Sequence, residues 1–144
     1  MATQLTAGLK VYYPNGSDDV YGYGTVTAAS GDGATVAPLD GSASVNIKAK
    51  EALPYSLSAE KGAQDMVGLD VLHDASILHN LKVRSSQDEY YTFVGSILVA
   101  VNPFTRLPIY EEDAVDRYKK ADPTQPQVPH IYAVASSAYQ FMSR

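Results

Sequence analysis

Cysteine and tryptophan are both absent from this 144-residue sequence. Without cysteine there can be no disulfide, cysteine–zinc site, iron–sulfur cluster or thiol nucleophile, and the redox compartment stays open. Histidine is sparse. His73, His79 and His130 are the three present, and no two stand in an H-E-x-x-H spacing, which argues against a histidine-rich metal site. No G-x-x-x-x-G-K-[ST] stretch occurs, so the chain carries no P-loop. A basic block is missing too. The 11 Lys+Arg and 16 Asp+Glu are dispersed and leave a formal charge of −5, which disfavours nucleic acid as the main partner. The longest uninterrupted apolar run is residues 97–101, far short of the roughly 20 residues of a membrane helix. The opening MATQLTAGLK has neither the charged region nor the apolar stretch of a signal peptide, so the expected compartment is the cytoplasm, with no membrane insertion.

What is present suits a folded protein. Hydrophobic residues make up 45% and charged residues 19% of the chain. A chain of this length can bury about 68–70% of its unfolded surface, enough for a real core. Composition shifts near residue 55. Seven of the ten glycines lie in residues 1–41, and arginine first occurs at Arg84. The first part reads as short strands and turns. Val11-Tyr12-Tyr13 ends at Pro14-Asn15-Gly16, and a second strand covers Tyr21 to Thr27. Gly31-Asp32-Gly33 turns, Ala34 to Leu39 is a third strand, Asp40-Gly41 turns again, and Ser44 to Ile47 is a fourth. Several short strands at this spacing predict a small β-barrel over 1–55. Residues 48–65 read as a connector at the start of a second domain, 56–144.

Helical spacing then appears. Apolar positions 66, 69, 72, 77, 78 and 81 predict helix over Met66 to Arg84, with a break near His73 and Asp74 as a cap. Tyr90 to Val101 is β-branched and aromatic, the pattern of a strand or hairpin buried on both faces, with Gly95-Ser96 as turn or bulge and a stop at Asn102-Pro103. Glu111-Glu112-Asp113 opens a short helix ending at Lys119-Lys120. Pro123, Pro126 and Pro129 make a loop, and His130 to Arg144 is a final helix. Ile131, Val134, Ala135, Ala138 and Met142 line its apolar face, opposite Ser136, Ser137, Gln140 and Ser143. No glycine or proline stops this helix before Arg144, and the 90–101 segment needs partner strands that the second half supplies sparingly. Both suggest a piece of something larger.

Few residues here point to chemistry by themselves. Glu111, Glu112 and Asp113 read as dipole-complementing carboxylates rather than an acid/base pair or a metal site. Gly22-Tyr23-Gly24 and Gly31-Asp32-Gly33 introduce no helix, so they read as turns rather than phosphate loops. The histidines read as surface or cap residues. Ser136-Ser137 has no nucleophile-elbow context. Tyr12, Tyr13, Tyr21 and Tyr23 read as packing in the small barrel, the other reading being an aromatic groove for proline-rich peptides. GSILVAVNPFTRLPIY, residues 95–110, is richer. A strand ends in a proline-stiffened loop, the place where ligands sit at the carboxyl ends of strands in α/β sheets. Asn102 offers a donor and an acceptor, Arg106 a planar cation and Tyr110 a flat face with a hydroxyl, a set suited to a planar base with polar edges. On spacing alone the better reading is a loop packed by its own side chains.

Three segments carry a family resemblance. DMVGLDVLHDASILHNLKVR at 65–84, YYTFVGSILVAVNPFTRLPIY at 90–110 and PHIYAVASSAYQFM at 129–142 resemble, in order and spacing, the N-terminal part of the myosin motor domain. The likeness covers residues 65–144. The first half is similar to the Src-homology-3-like barrel that precedes many such motors, with Tyr12-Tyr13 where the family often carries tryptophan. The resemblance implies an α+β chain: a small N-terminal Src-homology-3-like β-barrel, then helices and two strands of an incomplete motor core of the P-loop NTPase-like α/β kind.

In function it implies an actin-filament motor, cytoplasmic and cytoskeleton-associated, driven by hydrolysis of ATP with magnesium. The family's adenine pattern N-P-x-x-x-x-x-x-Y falls on Asn102, Pro103 and Tyr110, with Arg106 between them. Pro103 and Tyr110 would hold the base, polar groups of Asn102 and Tyr110 would fix its edge, and Arg106 would add a cation. The P-loop, both switches, the actin-binding cleft, the magnesium ligands, the converter and the lever arm have no counterpart in these residues, so no catalytic or metal-binding residue is expected. Actin would be met through the complete motor and not through this segment. The competing reading is a free-standing, non-catalytic interaction module that binds a protein partner through the barrel.

Overall fold

Gly24 shows why the first sheet packs as it does. It sits in the middle of strand β2 (Tyr21–Ser30), opposite Val11 of β1 (Lys10–Pro14) and Pro38 of β3 (Gly33–Pro38). A Cβ at this position would collide with the Ala37 carbonyl oxygen and come within 2.7 Å of the Val36 side chain, so only glycine lets the strands approach. In this computed structural model, residues 5–16, 19–122 and 125–143 are described. Met1 to Gln4, Pro123 and Arg144, which figured in the sequence reading, lie outside them.

Those strands belong to the first of two compact units, residues 1–56 with 73–76; the second takes residues 57–72 and 77–144. The first unit is an antiparallel sheet in the order β4-β3-β2-β1-β5, with β4 at Val45–Lys48 and β5 at Leu53–Pro54. The four expected strands are all there. The fifth went unread because it is two residues long and ends in proline, which an edge strand tolerates. Gly31 has φ +55° in the expected turn. Gly22-Tyr23-Gly24 is not a turn, as the sequence suggested, but lies inside β2.

Strand alternation sorts the side chains. Val11, Tyr13, Val26, Ala34, Val36 and Ile47 form one buried cluster. Tyr12 points to the opposite face, yet it too is fully buried. Its ring stacks on Tyr55 at 4.9 Å and meets Tyr23 and His73 edge-on, and its hydroxyl accepts from the Ser56 amide at 3.4 Å. Tyr12 and Tyr13 thus pack the unit rather than line a groove, and Tyr21 and Tyr23 are half-buried.

The second unit is built from short elements: α1 (Leu57–Glu60), a 3₁₀ turn at Met66–Gly68, most of α2 (Asp74–Ser85), the hairpin β6 (Tyr91–Val94) and β7 (Ile97–Ala100), α3 (Glu112–Lys119) and α4 (Ile131–Met142). The break expected near His73 is there, between the 3₁₀ turn and α2, but the first piece is a single 3₁₀ turn. Asp65 caps the 3₁₀ turn by accepting from Val67 N. Asp74 does not cap α2. His73 does, because its Nδ1 accepts from Ser76 N at 3.1 Å while Nε2 bonds the Pro54 carbonyl at 2.9 Å.

Burial in three places is not what apolar spacing alone suggests. The buried face of α2 is largely polar: Ser76, His79, Asn80 and Arg84 are buried, while Leu78 is 47% exposed. The reason is hydrogen bonding. Asn80 pairs both the N–H and the C=O of Ala63, an exchange that a strand would otherwise make. The 90–101 segment is a hairpin turning at Gly95, φ +60°, but it is not buried on both faces, since Ile97 is 64% exposed. In α4 the apolar residues share one face, as expected, but that face is open. Ile131, Val134, Ala135, Ala138 and Met142 are exposed, and Ser136 turns inward to donate to the Tyr118 carbonyl at 2.9 Å. The reading of α3 holds. Glu112 and Asp113 sit in its first turn, Arg117 and Lys119 in its last, and Lys120 bonds Asp116 at 3.0 Å.

Arg84 fixes the hairpin. Its buried guanidinium donates to Thr92 Oγ1 at 2.9 Å, the Tyr91 carbonyl at 2.9 Å and the Gly62 carbonyl at 3.2 Å, and it pairs with Glu89 at 2.7 Å. Burial lowers its pKa, and the Glu89 charge opposes that shift. Arg84→Met leaves three acceptors unpaired at about 1–3 kcal/mol each, so urea denaturation should show a loss of several kcal/mol. Glu89→Gln, at the exposed rim of the same pair, should lose no more than about 1 kcal/mol. Equal losses would show that the ion pair, and not the backbone contacts, is what Arg84 provides.

Candidate functional site

The loop after the hairpin begins where Val101 N bonds the Tyr90 carbonyl at 2.9 Å. Asn102 then closes an Asx turn, its Oδ1 accepting from Phe104 N at 2.9 Å. Phe104 takes the left-handed φ of +51°, which a bulky side chain adopts at a cost, and it is 91% exposed. Pro103 is half-buried and Arg106 exposed. Asn102, Pro103, Arg106 and Tyr110 thus share one surface loop, and Tyr110 ties it to the rest of the unit.

Tyr110 is 49% exposed, yet its polar groups are engaged. Its hydroxyl lies 2.8 Å from that of Tyr91 on β6, and its carbonyl accepts from the Tyr132 hydroxyl of α4 at 3.2 Å. The preceding carbonyl, of Ile109, is bonded by Nε2 of His130 at 3.0 Å. Burial, followed by the bond to Tyr110, pushes the Tyr91 hydroxyl up to about 12, so it stays protonated at neutral pH.

His130 is the centre of this arrangement. It precedes α4 with an extended φ of −164°, and its Nδ1 accepts from Tyr132 N at 3.1 Å. The imidazole stacks on Tyr118 at 5.0 Å and touches Tyr91, Tyr110 and Tyr132. Behind the loop a cavity of about 230 Å³ is bordered by Tyr91, Pro108, Ile109, Tyr118 and His130, with acidic Asp88 and Asp113 at its margin.

The expected cap role of the histidines is met at His73 and His130. Tyr91, His130 and Tyr132, which hold Tyr110, were missed. The available signal was a histidine between proline and a helical run, with tyrosines recurring at element boundaries. Ser136 is committed to Tyr118, and Asp113 lies 4.0 Å from Arg117, as helix carboxylates do. Among the described residues, no group of three or more His, Asp and Glu could hold a metal ion, and no helix is long and apolar enough to cross a membrane.

Burial lowers the His130 pKa below its ordinary 6.5; Arg117 adds to that, and the Ile109 bond opposes it. The folded state thus binds its proton later than the unfolded chain. The His130 contribution to stability is full above about pH 6.5 and is lost as pH drops from there through the folded-state pKa. Urea midpoints measured across that window should fall more in the wild-type chain than in His130→Asn. Parallel pH profiles would show that His130 carries no linkage.

Comparison with known proteins completes the picture. The family "Myosin head (motor domain)" matches residues 63–144. The chain is 33% identical over 133 residues to the Myosin-H heavy chain of Dictyostelium discoideum, covering 92% of this chain and 7% of that protein. It is 38% identical over 100 residues to Myosin-2 of Arabidopsis thaliana, covering 69% of this chain and 8% of that protein. With Myosin-VIIa of Drosophila melanogaster the identity is 45% over 87 residues, covering 60% of this chain and 4% of that protein. The chain therefore spans less than a tenth of the length of each of these relatives, and the 133-residue match takes in most of the N-terminal sheet. Matched over more than half its residues, the chain belongs to the myosin head (motor domain) family, as an N-terminal portion of that domain.

Proposed function

We propose that this chain is the front part of an ATP-driven actin-filament motor, cytoplasmic and cytoskeleton-associated, and that residues 102–110 form the adenine side of its nucleotide site. Residues 1–55 are its Src-homology-3-like barrel, and residues 56–144 begin a motor core of the P-loop NTPase-like α/β kind. The five-stranded antiparallel sheet, in which β5 returns to pair with β1 rather than with β4, supports the barrel. The observation that carries the site is Tyr110, an aromatic ring half open to solvent with its polar groups tied down by Tyr91 and Tyr132.

In this reading each loop residue has one task. The Tyr110 ring offers a face for stacking, and the Asn102 amide nitrogen can meet a polar edge while its oxygen holds the loop. Pro103 stiffens the strand exit, and exposed Arg106 adds a cation near the base. ATP supplies the phosphoryl group whose transfer drives the complete motor. That transfer depends on placing the γ-phosphate and magnesium. The described residues fit neither, having no metal-ligating cluster and no P-loop sequence.

A free-standing interaction module has less support. Its peptide groove would need Tyr12 and Tyr13, which are buried. Among the described strands β7 pairs only with β6, which leaves an edge that a free-standing module would be expected to cover.

The purified 144-residue chain should show no ATP turnover and no actin co-sedimentation; clear turnover would overturn the division of labour. In a motor carrying this segment, Tyr110→Ala should weaken nucleotide binding by roughly 1–3 kcal/mol, the worth of a lost base–aromatic stack. Unchanged affinity in that variant would remove the adenine assignment.

A further inference from the structure

A helix cap needs only a small acceptor such as serine, aspartate or asparagine. At α4 the cap is instead a bulky imidazole, 6% exposed, with both nitrogens committed to different elements. Because Nδ1 accepts from Tyr132 N, the ring proton sits on Nε2, which donates it to the Ile109 carbonyl. That carbonyl immediately precedes Tyr110. The same ring also packs at 5.6 Å against the Tyr110 ring and at 4.7 Å against Tyr132, whose hydroxyl bonds the Tyr110 carbonyl. One side chain therefore touches the start of the helix, the backbone before Tyr110 and the ring of Tyr110.

We propose that His130 is a positioning residue for the nucleotide base. Its Nε2–H anchors the Ile109 carbonyl and its ring buttresses Tyr110, so that the tyrosine face is held in one pose. The function of that pose rests on the adenine reading given above; the pose itself does not. His130 touches no base. It acts through Tyr110, and its Nδ1 bond makes the anchor inseparable from the start of α4. Preorganising an aromatic face in this way lowers the ordering cost of stacking.

Two substitutions separate the anchor from the cap. In His130→Asn the amide oxygen takes roughly the place of Nδ1, so α4 keeps its cap while the donor to Ile109 is lost. In His130→Gln the amide nitrogen takes roughly the place of Nε2, so the anchor is kept and the cap weakened. The experiment is solution NMR on the 144-residue chain, with adenosine and cytidine as added probes. In the wild type, imidazole nitrogen shifts should report a neutral ring protonated at Nε2, and nuclear Overhauser contacts should join the Tyr110 ring to Tyr91 and Tyr132. Those contacts should be lost or averaged in His130→Asn and kept in His130→Gln, even though Gln has the poorer cap. Adenosine affinity should fall roughly fivefold or more in His130→Asn, the lower bound of a lost stack, and change little in His130→Gln.

A folded His130→Asn that keeps its Tyr110 contacts, or a folded His130→Gln that loses them, would reduce His130 to a helix cap and overturn the proposal. So would a wild-type imidazole protonated at Nδ1, a result that depends on no variant folding. If the Tyr110 contacts follow His130 as expected while adenosine leaves the wild-type spectrum unchanged, the positioning of Tyr110 stands and the adenine reading falls.

Discussion

The second unit depends on backbone groups being paired by side chains, and the Arg84 guanidinium shows why. A hairpin of four-residue strands and several short helical pieces cannot satisfy its own amides and carbonyls by regular ladders. Arg84 gathers the carbonyls of Gly62 and Tyr91 and the hydroxyl of Thr92. Asn80 serves both polar groups of Ala63, and Asp65 accepts from the amides of Val67 and Gly95. Each polar side chain substitutes for a strand or a helical turn. That is why α2 buries a polar face, and why the hairpin has a fixed position from which the 102–110 loop departs.

Two histidines extend the same principle. His73 and His130 each open a helix through Nδ1 and reach a distant carbonyl through Nε2, those of Pro54 and Ile109 respectively. In both, an acceptor at Nδ1 and a donor at Nε2 are needed together, which selects one tautomer. A carboxylate could cap either helix but has no proton to donate, and a short hydroxyl does not also reach a carbonyl on the far side. The choice of histidine is thus explained by two simultaneous contacts.

The legible parts of the sequence were those fixed by local chemistry. Gly31 and Gly95 marked turns because those turns need positive φ. The carboxylates of Glu112 and Asp113 and the basic residues near Lys119 marked the ends of α3 because charge at helix ends has a sign. Burial was less legible. Periodicity tells which face of α4 is apolar, not what lies upon it. In α4 the hydroxyl of Ser136 bonds the Tyr118 carbonyl on the inner side, while the apolar face is open. Asn80 and Arg84 were unreadable for a related reason, since their partners lie 17 and 22 residues away at Ala63 and Gly62, with no spacing to announce them. At the loop, Asn102 and Tyr110 stood out by residue type, whereas Tyr91, His130 and Tyr132 entered only through contacts across the unit.

The Tyr91–Tyr110 pair also bears on how the loop could recognise a base. Two phenols in contact own two hydroxyl protons and spend one on their mutual bond. The other is left to donate elsewhere. If Tyr91 donates inward, the Tyr110 proton points away from the pair and can reach an acceptor on a purine edge. If Tyr110 donates, its proton is spent but its oxygen can still accept from a base, and the Asn102 amide nitrogen is left to donate. The first arrangement offers a base edge a donor and the second an acceptor, so the two favour different edges. Burial holds the Tyr91 hydroxyl protonated, up to about 12, so ionisation does not remove the choice at neutral pH. In the adenine reading, the direction of that one proton would therefore decide whether Tyr110 offers the base a donor or an acceptor.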